Sequence, residues 1–406
     1  MTERGSGARL TQYEATPGVI DLAWGHPDPT LLPVQELREA THRAMERHGP
    51  DILEYGSTAG SPPLIDFICA RLAETDARAP SPAEVVITSG ASQGLDLVAT
   101  LLVEAGDTVL LDVPTYHLAI SILADHPVRL EAVASDADGV VLDDLERVVA
   151  KLRRDGERPR LLYTIPTFHN PTGRNVSIER RNALVAFAAR EDLLIAEDDT
   201  YRELSYDGPP PPSLWALDGA GCVVRIGSFA KSVAPGLRLG YVTATSEIAT
   251  RMATGGLLDS GGGMNHFAAT VLAEYAQKGD YVRQIERFRT AYRAQRDRLL
   301  DGLAAHLPDT ASWSRPAGGY FVWVQLPPGI RAEQLQPIAI AHGMAFLPAH
   351  RFFLDDAQAP GALRLAFSMH PPELLEEATR RLGDAIASYG TIPSSSSEAS
   401  SSAGSR

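Results

Sequence analysis

Residues 225–242 read RIGSFAKSVAPGLRLGYV. An apolar, β-branched run leads into Ser228, Lys231 and Arg238, set in a loop punctuated by proline and glycine, and a second apolar run follows. Lys231 is one of three lysines in the chain; Lys151 lies in a charged run and Lys278 beside a glycine, both solvated settings. No acidic residue occurs from Arg225 to Thr245. A half-buried lysine without a carboxylate partner tends to a lowered pKa, and only the neutral amine attacks a carbonyl. Taken alone, the stretch favours the plainer reading of a lysine snorkelling from a strand end. Its neighbours decide.

From Glu84 the chain alternates between short apolar runs (VVIT, VLLD, RLEAV, LLYTI, LLIAE, VVRIG, RLGYV) and helical patterns such as SQGLDLVATLL and LDDLERVVAKL. Strands regularly separated by helices imply an α/β architecture, a mostly parallel sheet sandwiched by helices. Such sheets bind ligands beyond the carboxyl ends of their strands. After about residue 260 the pattern changes. An arginine-rich segment from Tyr275 to Leu303 reads as one connecting helix, and hairpin-like runs (GGYFVWVQL, MAFLPAH, ALRLAFS) mixed with helices read as a smaller α+β C-terminal domain. The expected division is an arm at 1–20, a segment at 21–50 packing with the small domain, a large domain at 51–285, a small domain at 286–392, and a disordered serine-rich tail at 393–406.

The chain has 406 residues, 44% hydrophobic and 22% charged, with a formal net charge of −14. That acidity argues against a nucleic-acid surface. Cys69 and Cys222 lie far apart in apolar contexts and read as reduced. The polar N-terminus is not a secretory signal, and no apolar stretch approaches the ~18 residues of a membrane span. A soluble cytoplasmic protein is expected.

Five loops after strands carry chemistry. VVIT runs into SGASQGLDL, whose helix N-terminus offers N–H groups to an anion such as a phosphate. VLLD leads to Tyr116, and LLYTIP leads to a turn holding Asn170. LLIAE ends in Glu197, Asp198 and Asp199, with Tyr201 following. Strand-end carboxylates need a cation or a metal when buried. His169 is a nearby candidate ligand, but a metal wants more than this set; the competing reading turns one acid inward and two outward. The fifth loop is the opening stretch. Arg364 adds an arginine inside an apolar run, where it calls for an anion. Each loop alone is explained by capping, turn chemistry or packing. Together they supply a phosphate cradle, an aromatic platform, an amide, a carboxylate, a lysine and an arginine, which is what pyridoxal phosphate (PLP) requires.

These motifs resemble those of the fold type I, class I/II aminotransferases, in the 2-aminoadipate/kynurenine aminotransferase-like branch shared with the catalytic half of MocR-type regulators. The resemblance spans about residues 20–390 and rests on WGHPDP, EYGSTAGSPPL, TSGASQGLDL, DVPTYH, PTFHNPTG, EDDTY, SFAKSVAPGLRLGY and LRLAFS in family order. It implies the PLP-dependent transferase fold and Lys231 as aldimine lysine and proton shuttle. It pairs Asp198 with the pyridine nitrogen, sets Asn170 and Tyr201 on the ring oxygen, and stacks Tyr116 on the ring. Backbone groups of Ala91 and Ser92, with Ser228 and Arg238, would hold the phosphate. Arg364 would bind the α-carboxylate, with Gly25 close to the substrate. Tyr55 resembles a tyrosine reaching the phosphate of a partner subunit, implying a homodimer with shared sites. One departure is Ala230, where the family often has serine. Ser260–His266, SGGGMNH, either admits an unusual side chain or marks the crossover into the long helix, the second being favoured.

The leading expectation is an aminotransferase moving an amino group from an L-amino acid to a 2-oxo acid in ping-pong half reactions. A PLP-dependent lyase or decarboxylase acting on a specialised amino acid is the alternative, because the same cradle supports other bond cleavages. A MocR-type regulator is disfavoured by the short N-terminal arm and the acidic chain. Lys231→Ala is expected to abolish turnover while the circular dichroism spectrum stays unchanged; full activity in that variant overturns the reading.

Overall fold

The computed structural model describes residues 16–389. The first fifteen residues of the expected arm and the expected tail lie outside the described residues. Eight strands form the main sheet, in the spatial order Val85–Thr88, Gly240–Thr243, Val223–Ser228, Leu194–Asp198, Pro159–Thr164, Thr108–Val113, Arg129–Asp136 and Gly139–Val140. From Val223–Ser228 through to Arg129–Asp136 neighbouring strands run parallel. Thr108–Val113 and Val85–Thr88 are buried along their whole length. Helices on both faces require that, which is why these strands read as continuous apolar runs instead of alternating ones.

Gly240–Thr243 is antiparallel to both its neighbours. Its reversed direction puts its amino end, with Arg238 just before it, at the same sheet edge as the carboxyl ends of the other central strands. Thr88, Val113, Thr164, Asp198 and Ser228 end at that edge too. The loops that carry the expected site residues therefore emerge side by side.

The expected single helix over Tyr275–Leu303 is two helices, His266–Gln277 and Asp280–His306. Gly279, in the left-handed region at φ +74, breaks the run. The second helix starts in the core layer with Tyr281 and Ile285 and continues into another with Phe288, Tyr292 and Leu299. That second layer is closed by the helix Pro372–Tyr389 and by a four-stranded antiparallel sheet, ordered Ser312–Trp313, Phe321–Gln325, Ala362–Ala366, Leu347–Pro348. Ile20–Asp21 pairs in parallel with Met344–Ala345, and the Ala366 amide donates to the Leu22 carbonyl at 2.8 Å. These bonds carry the chain from Leu22 into the WGHPDP segment across the sheet edge. Val34–His48 forms a helix in which only Ala40 and Ala44 of the apolar residues are buried; Val34 and Met45 face outward.

Ser260–His266 precedes His266–Gln277, not the long helix, so the favoured expectation is corrected. Its glycines instead interlock with the loop at Tyr55–Gly60. A Cβ on Gly262 would stand 2.8 Å from the Gly56 carbonyl oxygen, and one on Gly263, whose φ is +84, would stand 2.1 Å from that of Ser57. Gly263→Ala is expected to lower stability by about 1–3 kcal/mol in urea unfolding. Gly256→Ala, which opens onto space, is the matched control and is expected to stay within ~0.5 kcal/mol of wild type.

Candidate active site

A cavity of about 710 Å³ opens at the carboxyl edge of the main sheet, against the small antiparallel sheet. Gly25, Ala91, Ser92, Tyr116, Asn170, Asp198, Tyr201, Ser228, Lys231, Arg238 and Arg364 all line it. Tyr55 does not; it is 82% exposed.

One end of the cavity is built for an anion. Gly90, at φ +82, caps the helix Ala91–Leu102, whose first N–H groups have no partner within the helix. A Cβ at Gly90 would sit 2.8 Å from Arg238 Nη2, so only glycine lets that guanidinium lie over the helix start. Arg238 is itself left-handed, at φ +50, and donates to the Ser89 carbonyl at 3.2 Å. Ser228 Oγ, across the loop, accepts from the Ala230 amide at 3.1 Å.

The middle holds the reactive groups. Lys231 Nζ donates to the Gly25 carbonyl at 2.8 Å. Burial, with Arg364 and Arg238 nearby, lowers its pKa to about 8. Asp198 Oδ1 accepts from Thr200 Oγ1 at 2.6 Å and its amide at 3.2 Å, while Oδ2 accepts from Tyr163 Oη at 2.9 Å. Burial raises the Asp198 pKa, and those donors oppose the rise. Tyr116 lies beside this carboxylate; burial first and Asp198 second push its phenol up to about 12. Tyr201 packs edge-on to Tyr320 and Phe321, with ring centroids 5.4 and 5.7 Å away.

At the far end Arg364 is 2% exposed. Its Nη1 donates to Asn170 Oδ1 at 2.8 Å, and its Nη2 donates to the Ala23 carbonyl. Its Nε has no partner, and no carboxylate among the described residues lies within ion-pair distance. The Phe321 ring centroid is 4.2 Å from the guanidinium carbon, and a Cβ on Gly25 would stand 2.6 Å from Phe321 Cζ. Burial lowers the Arg364 pKa to about 10. It remains a cation near neutrality.

The expectation that two acids of the Glu197–Asp199 run face outward is corrected. Strand alternation turns Glu197 and Asp199 away from the cavity, into the protein, where both are buried. Glu197 accepts from the Leu214 and Trp215 amides at 2.8 and 2.9 Å. Asp199 Oδ2 pairs with Arg202 Nε at 2.6 Å and Arg225 Nη2 at 2.7 Å. Asp198 alone of the three lines the cavity. His169 is buried against Thr172 Oγ1 at 2.8 Å, and no cluster that could hold a metal ion occurs among the described residues.

Sequence reasoning missed Tyr163, Thr200, Trp24, His26, His117 and Phe321, which also line the cavity. Tyr163 lay inside LLYTI and read only as strand. Phe321 came from the remote hairpin, and no local pattern ties it to Gly25.

These groups fit PLP. The cradle at Gly90 suits a phosphate, Asp198 suits a pyridinium N–H, and Lys231 suits the aldehyde. Because only neutral Lys231 is nucleophilic, covalent capture of free PLP by cofactor-stripped protein is expected to speed up about tenfold per pH unit below pH ~8 and to level off above it. Stopped-flow absorbance measures this; a flat profile from pH 6 to 9 contradicts it.

Residues 17–382 match the family model for aminotransferase class I and II. The chain is 32% identical to the aromatic-amino-acid aminotransferase 1 of Thermococcus litoralis over 93% of its own length and 90% of that protein. It is 34% identical to the 2-aminoadipate transaminase of Thermus thermophilus, over 93% and 92% of the two chains. The crystal structure of Pyrococcus horikoshii kynurenine aminotransferase in complex with PMP superposes with a TM-score of 0.87 at 31% identity, covering 92% of each chain. Fold, cavity and similarity agree: the chain belongs to the class I and II aminotransferases, PLP-dependent transaminases.

Proposed function

We propose that this aminotransferase works through Lys231 and Arg364, on an L-amino acid donor and a 2-oxo acid acceptor. The observation that carries the reading is Arg364, a buried cation without a carboxylate partner, facing the same cavity as Lys231. An arginine in that state favours an incoming carboxylate, and its planar fork accepts one in two-point fashion. Asn170 and the Ala23 carbonyl fix its orientation. The substrate Cα is thereby held toward Lys231, whose Nζ takes up the Cα proton and passes it on in the 1,3 transfer that transamination requires.

Bound PLP supplies an electron sink for the charge left at Cα. Asp198 would serve as counter-ion to the pyridine nitrogen, and the helix start at Ala91 and Ser92, with Ser228 and Arg238, would hold the phosphate. Tyr116 would hold the ring from one face, and Asn170 and Tyr201 would hold its oxygen. Phe321, packed against Gly25, and Trp24 exclude water from the carboxylate end. Tyr55, exposed on one protomer, completes the phosphate site of a partner in a homodimer. The proposed division is a large cofactor-binding unit at 51–285 and a smaller α+β unit at 286–392. The proposed setting is the cytoplasm; no described helix is long and apolar enough to cross a membrane.

The test adds candidate amino acids to the holoenzyme without an acceptor. Conversion of the visible spectrum to that of the aminated cofactor, with one 2-oxo acid formed per site, is expected. Release of ammonia or carbon dioxide without that conversion contradicts it. Arg364→Ala is expected to raise KM for every donor by ~100-fold or more, the loss of a charge-assisted pair in a desolvated site, while the cofactor spectrum persists.

A further inference from the structure

Tyr163 played no part in the expected site, yet it supplies the hydrogen bond that Asp198 Oδ2 accepts among the described residues, at 2.9 Å. It stands on Pro159–Thr164, in register with Ala196 on the strand that ends in Asp198. The residue is fully buried, and its ring belongs to an apolar cluster with Leu111, Leu161, Ile165 and Val224. Burying a phenol hydroxyl among such neighbours costs free energy unless it finds a partner, and phenylalanine would fill the same space. Among the described residues the hydroxyl has one hydrogen-bond partner, Asp198.

The two carboxylate oxygens are served differently. Both donors to Oδ1 belong to Thr200, two residues along the same chain, and come with the local turn. The donor to Oδ2 comes from a neighbouring strand, which fixes the plane of the carboxylate relative to the sheet. We infer that Tyr163 is a positioning residue for the cofactor ring: its hydroxyl orients Asp198 and keeps it ionised, so that the pyridine nitrogen meets an anion and not a neutral acid. This rests on the assignment of Asp198 to that nitrogen.

The charged and titratable groups facing Asp198 are Asp199 beside it, Lys231 across the cavity, Tyr116 from the loop after Thr108–Val113, Tyr201 from its own loop, and Tyr163. Burial holds the Tyr163 phenol well above its ordinary range, so it stays a donor at every working pH. Burial and Asp199 raise the Asp198 pKa, while Thr200 and Tyr163 lower it. Deleting the Tyr163 hydroxyl therefore lets Asp198 take up a proton at higher pH. The acid side of cofactor affinity must move upward.

The experiment measures PLP dissociation from holoenzyme by equilibrium dialysis from pH 5 to 8, with visible absorbance recorded in parallel, for wild type, Tyr163→Phe and Asp198→Ala. In Tyr163→Phe the dissociation constant at pH 7 is expected to rise about tenfold, the scale of one hydrogen bond to a charged group. The pH at which affinity falls is expected to move up, with the thermal midpoint of the cofactor-free protein little changed. A merely structural tyrosine would lower that thermal midpoint and leave the dissociation constant and its pH dependence alone, which overturns the inference. Asp198→Ala separates the two layers. If it binds PLP as tightly as wild type, the assignment of Asp198 fails and the inference with it; if it binds weakly while Tyr163→Phe matches wild type, only the role of Tyr163 fails.

Discussion

Two cations, Lys231 and Arg364, share one cavity in which no described carboxylate lies within ion-pair distance of either. Buried charge without a partner is costly, so a fold keeps such an arrangement where the counter-charge arrives with a ligand. Under the proposed function, a phosphate and a substrate carboxylate would bring the missing anions. Each cation is restrained by carbonyl oxygens: Gly25 for Lys231, Ala23 and the Asn170 amide for Arg364. Carbonyls orient a cation without neutralising it. They leave Lys231 with a depressed pKa and Arg364 a cation near neutrality.

The same economy governs the acids. Glu197, Asp198 and Asp199 are consecutive and all lie in the interior, yet they face different surroundings. Glu197 caps backbone amides and Asp199 joins Arg202 and Arg225, while Asp198 meets only hydrogen-bond donors at the cavity wall. Burial and the neighbouring Asp199 raise the Glu197 pKa, whereas Arg202 and Arg225 hold Asp199 below the usual carboxylate range. Strand alternation separates the three roles, and the arginine network lets a carboxylate-rich strand end stay buried.

Much of the fold was legible because its signals are local. Buried parallel strands must be apolar along their length, so VVIT, LLYTI and LLIAE announced themselves, and the sheet edge where ligands bind followed from strand direction. The break at Gly279 was misread because an amphipathic pattern on both sides hides a single left-handed residue. The triple glycine was misplaced for a different reason: its partners, Gly56 and Ser57, lie about two hundred residues away in sequence, and the close backbone approach leaves no local mark. The loops carrying Tyr116, Asn170, Asp198 and Lys231 could be quoted from the sequence, but Tyr163 and Phe321 could not. Each sits in a strand whose apolar pattern explains it fully until its hydroxyl or ring is seen to reach the cavity.

By itself the sequence determined the α/β alternation, the strand ends that carry chemistry, and the chemical inventory of a PLP site, since residue type and periodicity depend on neighbours within one element. Only the tertiary structure decided which of three adjacent acids faces the cavity, that a reversed strand delivers Arg238 beside Gly90, and that no described carboxylate comes within ion-pair distance of Lys231 or Arg364. Those outcomes depend on distances between elements. Such distances are set by packing across the whole core, and no stretch of chain records them.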